Sequence, residues 1–371
     1  MISIEHTTDE SEHVQLTRRS SPTAAFLVLF VFVSTLVPTA VSAEVELDEQ
    51  GASLTSETSF EPASPPEQWQ PPWRGSYLGY RNAVSATSLD RGAELTYNPY
   101  YAMGLFIAPR WWLGDALQIS ADLTVMRELT DADTTSEQGE TLLGDLVVGL
   151  SAPSFYTVPA IELELSAGLD LITPTSKGAQ ARTLYVGLTP GVGLARRFDV
   201  LAGLAFSYGF GATKFFHGAT TAQREAPLIP DCSASGSCEL YVGTGMRNTS
   251  WRLQSSFGAS LSFVDWLSIS AGVAVLTDVL YPLDGTDSQV SYEPQEPTDL
   301  RHTMAYSAEI LGWPMPSLGI ALGAETVNPQ LRPDSTNEQP FFNRYTVLYL
   351  DLRLDFAGLS TQIASGRKGK R

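Results

Sequence analysis

Three stretches of this chain alternate apolar and polar residues with a period of two. Leu117, Ile119, Ala121, Leu123 and Val125 alternate with Gln118, Ser120, Asp122 and Thr124. Ile161, Leu163, Leu165, Ala167, Leu169 and Leu171 alternate with Glu162, Glu164, Ser166, Gly168 and Asp170. Trp251, Leu253, Phe257, Ala259, Leu261 and Phe263 alternate with Arg252, Gln254, Ser256, Gly258, Ser260 and Ser262. Successive side chains of an extended strand point to opposite faces, so each stretch predicts a strand with one apolar and one polar surface. A soluble sandwich and a membrane barrel both meet that requirement.

The connections separate the two. Strands are expected at about 75–86, 99–112, 116–128, 141–152, 160–172, 182–197, 199–213, 249–263, 266–280, 301–312, 317–327 and 344–356. Long links then fall at 87–98, 129–140, 173–181, 214–248, 281–300 and 328–343. Short ones fall at Leu113 to Asp115, 153–159, Phe198, Val264 to Asp265 and 313–316. Strict alternation of short and long links belongs to outer-membrane barrels, which turn tightly on the periplasmic side and loop outward on the other. Aromatics near the short turns (Trp111, Trp112, Phe155, Tyr156, Phe198, Phe263, Trp266, Trp313) and near the long loops (Tyr97, Tyr100, Tyr101, Phe215, Phe216, Tyr281, Tyr345) fit two interfacial belts. The expected fold is therefore all-β, a closed antiparallel transmembrane β-barrel of about twelve strands with both ends in the periplasm. The last strand, Leu348 to Phe356, resembles the assembly signal of such barrels, though a polar tail at 357–371 follows it. That resemblance implies the barrel-assembly machinery as a partner, with outer-membrane lipid around the wall.

The amino-terminal region changes the picture only in compartment. Ala24 to Val37 is a fourteen-residue apolar run after Arg18 and Arg19, followed by Val41-Ser42-Ala43. It reads as a signal peptide over 1–43, cleaved after Ala43. Residues 44–72, rich in Pro, Glu, Ser and Thr, read as a disordered periplasmic leader ahead of a barrel at 73–356. The whole chain has 371 residues and net charge -18; without 1–43 it keeps 37 acids and 21 bases. Such an acidic surface argues against nucleic acid. In an oxidising compartment Cys232 and Cys238, with five residues between them in the longest loop, read as a disulfide.

Catalytic chemistry finds little support. Past residue 43 the histidines are His217 and His302. Ser307 lies five residues along the strand from His302, too far for a direct hydrogen bond, and His302 with Asp299 is a second arrangement to consider. Glu162 and Glu164, two apart, could form a carboxylate pair, but such residues more often are solvated lumen charges. No catalytic, cofactor or metal residue is expected. The polar faces of the strands place Asp122, Asp145, Glu162, Glu164, Asp170, Arg252, Glu309, Glu325, Asp351, Arg353 and Asp355 in the lumen. Gly187, Gly191, Gly193, Gly203, Ala205, Ser207, Gly209 and Gly211 leave one arc of wall almost bare.

The run Gly144 to Leu150 (GDLVVGL), then Leu169 to Thr175 (LDLITPT), then the Gly-rich strand pair up to Phe210, resembles the transporter-like, phenol-degradation-type outer-membrane channel proteins. The likeness covers about 141–210, with Ser176 where that family carries Gly. It implies a barrel of the uptake class and brings no substrate. The expected function is a passive channel or uptake pore for small neutral or cationic solutes. A structural or surface-binding barrel, its lumen filled by the 214–248 loop, is the alternative, and a barrel enzyme acting on lipid is a more distant one.

Overall fold

The computed structural model describes residues 70–89, 100–130, 139–225, 231–232, 238–239, 241–282, 298–329, 341–343 and 345–368. The signal peptide with its Ala43 cleavage site, and the leader up to residue 69, lie outside the described residues.

Twelve antiparallel strands form one ring: β1 (Tyr77–Ser85), β2 (Tyr101–Ala108, continued past Pro109 by Arg110–Leu113), β3 (Leu117–Glu128), β4 (Thr141–Leu143 and Leu146–Val158), β5 (Leu163–Thr173) and β6 (Leu184–Phe198). They continue as β7 (Gly203–His217), β8 (Thr249–Val264), β9 (Leu267–Leu280), β10 (Leu300–Met315), β11 (Leu318–Pro329) and β12 (Thr346–Asp355). Each strand pairs with its neighbours in sequence, and β12 closes on β1 in unbroken register from Tyr77 opposite Asp355 to Ser85 opposite Val347. The barrel expected from the alternation is the barrel observed. Closure leaves no sheet edge unpaired, which a bilayer demands because its core has no water to satisfy an open backbone.

Strand boundaries differ from the expected ones where proline intervenes. β4 runs on to Val158 through a stretch expected to be a turn, with its register broken between Ala152 and Tyr156. Pro153 cannot donate to the ladder there, so the pairing slips and then resumes. The turn proper is 159–162, with Glu162 at φ 51°. On the long-loop side, 173–181 contains helix α1 (Lys177–Ala181), and beyond β7 the chain forms the ladder Thr221–Glu225 with Tyr241–Arg247. A two-residue ladder sets Cys232 opposite Cys238. The tail past Asp355 is helical as α2 (Phe356–Lys368). Ahead of β1, Trp112 N–H donates to the Pro72 carbonyl at 2.7 Å, and the Arg74 guanidinium lies 3.9 Å from the Trp112 ring centre.

The two faces sort as the period requires. Leu105, Ile107, Ile119, Val148, Leu150, Leu169, Leu171, Val192, Phe210, Leu253, Phe257, Leu322, Leu350 and Leu352 are exposed on the outer wall. Their polar partners in the alternation point inward. An outward belt of large apolar side chains around a polar interior is what lipid outside and water inside select. Outward polar groups are few and hydrogen-bonded: Asn82 Oδ1 accepts from Tyr101 at 3.0 Å, and Ser255 donates to the Tyr208 hydroxyl at 3.1 Å.

Leu322, 58% exposed in the middle of β11, tests this orientation. Leu322→Arg is expected to destabilise the barrel by about 2–4 kcal/mol in denaturant-driven unfolding from bilayers. A change within error would mean that this face does not meet lipid.

Candidate functional site: the ion-paired lumen

At mid-height, β1, β10, β11 and β12 carry a charged cluster on their inner face. Arg81 makes a bidentate pair with Asp351, at 2.7 and 2.8 Å, and reaches Glu325 at 3.2 Å. Arg353 bonds Glu309 at 2.6 Å and Asp351 at 3.3 Å, and the Tyr349 hydroxyl donates to Glu309 at 3.0 Å. The guanidinium of Arg81 also sits 3.9 Å from the Tyr349 ring centre and 4.8 Å from that of Phe106. Planar, two-pronged pairing of this kind gives direction as well as strength.

The ladder explains how such bulk fits on one arc. Across it, Glu309, Gly323, Tyr349 and Ala83 form one row. A Cβ on Gly323 would collide with the Tyr349 ring. The absent side chain is therefore what lets the ring lie flat along the wall and reach Glu309. Arg353 stands likewise between Gly319 and Gly79, and Arg81 between Asp351 and Gly104.

A second group lies near the long loops. Arg252 pairs bidentately with Asp278 at 2.7 and 2.9 Å, and Thr249 adds a 3.3 Å bond to the same carboxylate. Arg182, buried beneath the loops beside Arg252, Arg301 and Asp278, has its guanidinium pulled down to about 10, first by desolvation and then by the two neighbouring cations. Toward the short turns, Arg110 pairs with Asp122 at 2.8 Å.

Between these groups the wall is nearly bare. One ladder row reads Ser166, Gly193, Gly209, Ser256, Ala274, Ala305 across β5 to β10, and another reads Ala195, Ser207, Gly258, Gly272, Ser307 across β6 to β10. The serine hydroxyls lie over neighbouring glycines: a Cβ at Gly209, Gly258 or Gly272 would come within 2.9 Å of Ser256, Ser207 or Ser307 Oγ. The lining there is thin, and its hydroxyls hug the wall.

The long-loop mouth over β4 to β7 is tied down. Thr175 Oγ1 donates to the Gly144 carbonyl at 2.7 Å and accepts from Leu146 N–H at 2.8 Å. Asp145 Oδ1 accepts from Ser176 N–H at 2.9 Å, and Ser176 Oγ caps α1 by accepting from Ala179 N–H at 3.0 Å. Ala179 then packs on the inward-facing Leu184 and Phe215, with Ile172 against them, so α1 folds into the mouth. Asn248 donates to the carbonyls of Arg182, Ala219 and Thr221, joining three segments of the rim.

Of the expected lumen residues, Asp122, Glu164, Asp170, Arg252, Glu309, Glu325, Asp351 and Arg353 occupy inward positions, and the cluster joins Glu309, Glu325, Asp351 and Arg353. Three placements are corrected. Glu162 lies in the exposed turn before β5, so it shares no strand face with Glu164. Asp145 lies between the two parts of β4 and holds the loop. Asp355 Oδ1 accepts from Gly358 N–H and caps α2. Arg81, Tyr349, Asp278 and Gly323 were missed; the outward Asn82 and Tyr80 around Arg81 blur the alternation there. His302 bonds Thr277 at 3.1 Å on the outer face, whereas Ser307 points inward, and Asp299 pairs with Arg247 at 2.7 Å. The side chains of Cys232 and Cys238 lie outside the described residues.

Fold, outer belt and ion-paired lumen together define an outer-membrane-type β-barrel. No family model and no curated protein matches the chain. Among solved structures, an outer-membrane channel from Pseudomonas putida F1 is similar at 11% identity over 79% of this chain and 100% of that one, TM-score 0.47. The NanC porin is similar at 10% identity over 75% and 98%, TM-score 0.39. LpxR from Salmonella typhimurium is similar at 14% identity over 76% and 100%, TM-score 0.38.

The cluster makes an energetic prediction. Asp351 is only 5% exposed at its side chain and holds both guanidiniums, whereas Glu325 is 32% exposed. Asp351→Ala removes the bidentate partner of Arg81, leaving Arg81 with Glu325 and Arg353 with Glu309, and is expected to cost about 1–3 kcal/mol in denaturant unfolding. Glu325→Gln should cost distinctly less.

Proposed function

We propose that this barrel is a passive channel of the bacterial outer membrane that admits small neutral or cationic solutes. One observation carries the reading: at mid-height a charged cluster crowds one arc of the inner wall, on β1 and β10 to β12, while two ladder rows on the facing arc, β5 to β9, are lined by Gly, Ala and Ser. A barrel serving only as a scaffold would be expected to fill both arcs with interlocking side chains. The mid-height cluster holds three carboxylates against two guanidiniums, and this surplus supports a preference for cations over anions. The inward-folded α1 packs on β5, β6 and β7 at the mouth, which supports a narrowed entry.

Conductance of the refolded chain in planar bilayers tests the proposal. Discrete, cation-selective steps are expected, and Glu325→Gln should reduce that selectivity. Silence from folded, heat-modifiable protein would defeat it in favour of a closed, surface-binding barrel. We also propose that Cys232 and Cys238, set opposite each other by the ladder, form a disulfide that holds the 214–248 loop near the mouth. The Cys232→Ser, Cys238→Ser double variant should then conduct more than the parent; unchanged conductance would place that loop away from the solute path.

A further inference from the structure

The outer wall carries a cation close to the long-loop rim. Lys214 lies on β7 in the outward series Phe206, Tyr208, Phe210, Ala212, Lys214, Phe216, and the ladder sets it between Leu188 and Trp251. Its ammonium donates to Ser250 Oγ at 2.6 Å. It also stands 5.1, 5.2 and 5.8 Å from the ring centres of Tyr281, Trp251 and Phe216. Among the described residues no carboxylate comes within ion-pairing distance of it, whereas the inward Arg81, Arg110, Arg252 and Arg353 each have one.

A charge on a lipid-facing wall is stable where it can reach the head-group layer and meet an opposite charge there. The aromatic rings round Lys214 supply a partly dry surface and a favourable π-face, but no neutralising anion. Below it the same outward face continues as Ala212, Phe210, Leu253 and Phe257, an apolar track along which acyl chains can lie. Tyr185, 69% exposed on β6, flanks the upper end of this patch.

We infer that Lys214, with Ser250 and the Trp251, Phe216 and Tyr281 rings, binds the phosphate of an outer-leaflet phosphorylated glycolipid whose acyl chains run down the β7–β8 wall. The inference rests on the reading that the long loops face outward; it is independent of whether the lumen conducts. Three features fit one ligand: a cation that no carboxylate among the described residues pairs, a hydroxyl beside it, and an apolar track leading toward the membrane centre.

The experiment uses the full refolded barrel, checked for heat-modifiable migration, and counts retained lipid by native mass spectrometry. The probes are bis-phosphorylated lipid A, the same lipid after phosphatase treatment, and phosphatidylglycerol. The parent should retain the phosphorylated glycolipid best, Lys214→Met should lose about five-fold in retention, and Lys214→Arg should restore it. Equal retention by the parent and Lys214→Met, or no dependence on the glycolipid phosphate, would overturn the site. Equal retention of phosphatidylglycerol by the parent would overturn the assignment to a glycolipid. Because conductance is read separately, a silent barrel that still loses lipid on Lys214→Met would sink the channel reading and leave this one standing.

Discussion

A hydrocarbon layer offers the backbone nothing to hydrogen-bond, and this constraint governs the molecule. Each strand must find two partners, so the sheet has to close, and β12 completes the ring by pairing along the full length of β1. Closure fixes two surfaces of opposite character. The period of two then leaves each residue facing either lipid or lumen. Proline interrupts the ladder at several places, and at Pro190 the β6–β7 pairing skips two positions without a change of register. Pro109 divides β2, and Pro153 lies where β4 loses register with β5.

The same constraint explains what was legible in the sequence. Alternation in β3, β5 and β8 needs only the identity of consecutive residues, and short links alternating with long ones give the strand order. The inward or outward side of Asp122, Asp170, Arg252 or Asp351 follows from parity alone. Glu162 was misread because parity holds only inside a strand, and β5 starts one residue later, after a turn in which Glu162 adopts positive φ. Asp145 failed similarly at the break within β4.

Pairing across strands was not legible, because it depends on register between segments far apart in the chain. Arg81 and Asp351 are separated by 270 positions, and nothing local to either marks the other. The stretches Gly144 to Leu150 and Leu169 to Thr175 show a subtler case. Their likeness to a known family was visible in the residues. That Thr175 bridges Gly144 and Leu146, and that Asp145 holds Ser176, became visible only when the hairpin brought both ends to one rim. The motif residues act there on backbone groups of the mouth, not on the lumen.

Glycine does two different things along the inner wall, and the difference decides the shape of the lumen. On the arc that carries Arg353 and Tyr349, glycine makes room for large rings along the ladder, Gly323 for Tyr349, Gly319 for Trp313 and Gly79 for Phe106, so the wall there stays thick. At mid-height from β6 to β9, Gly193, Gly209, Gly258 and Gly272 adjoin serine hydroxyls and other small residues, whereas nearer the ends Gly187 meets Ile172 and Phe215 and Gly203 meets Arg197. Curvature relief alone would account for glycine in either place. It would not account for the sorting, at mid-height, of bulky partners to one arc and small ones to the other. A lumen built for mechanical stability would gain from filling the thin arc with apolar or paired polar bulk, because packed side chains add dispersion and exclude water. The thin arc forgoes that stabilisation, and the charged arc offsets part of the loss through a network whose members are fixed by two-pronged bonds. Rigid charge on one side and unfilled width on the other at mid-height is an arrangement with a cost in stability, and that cost is what the proposed channel would explain.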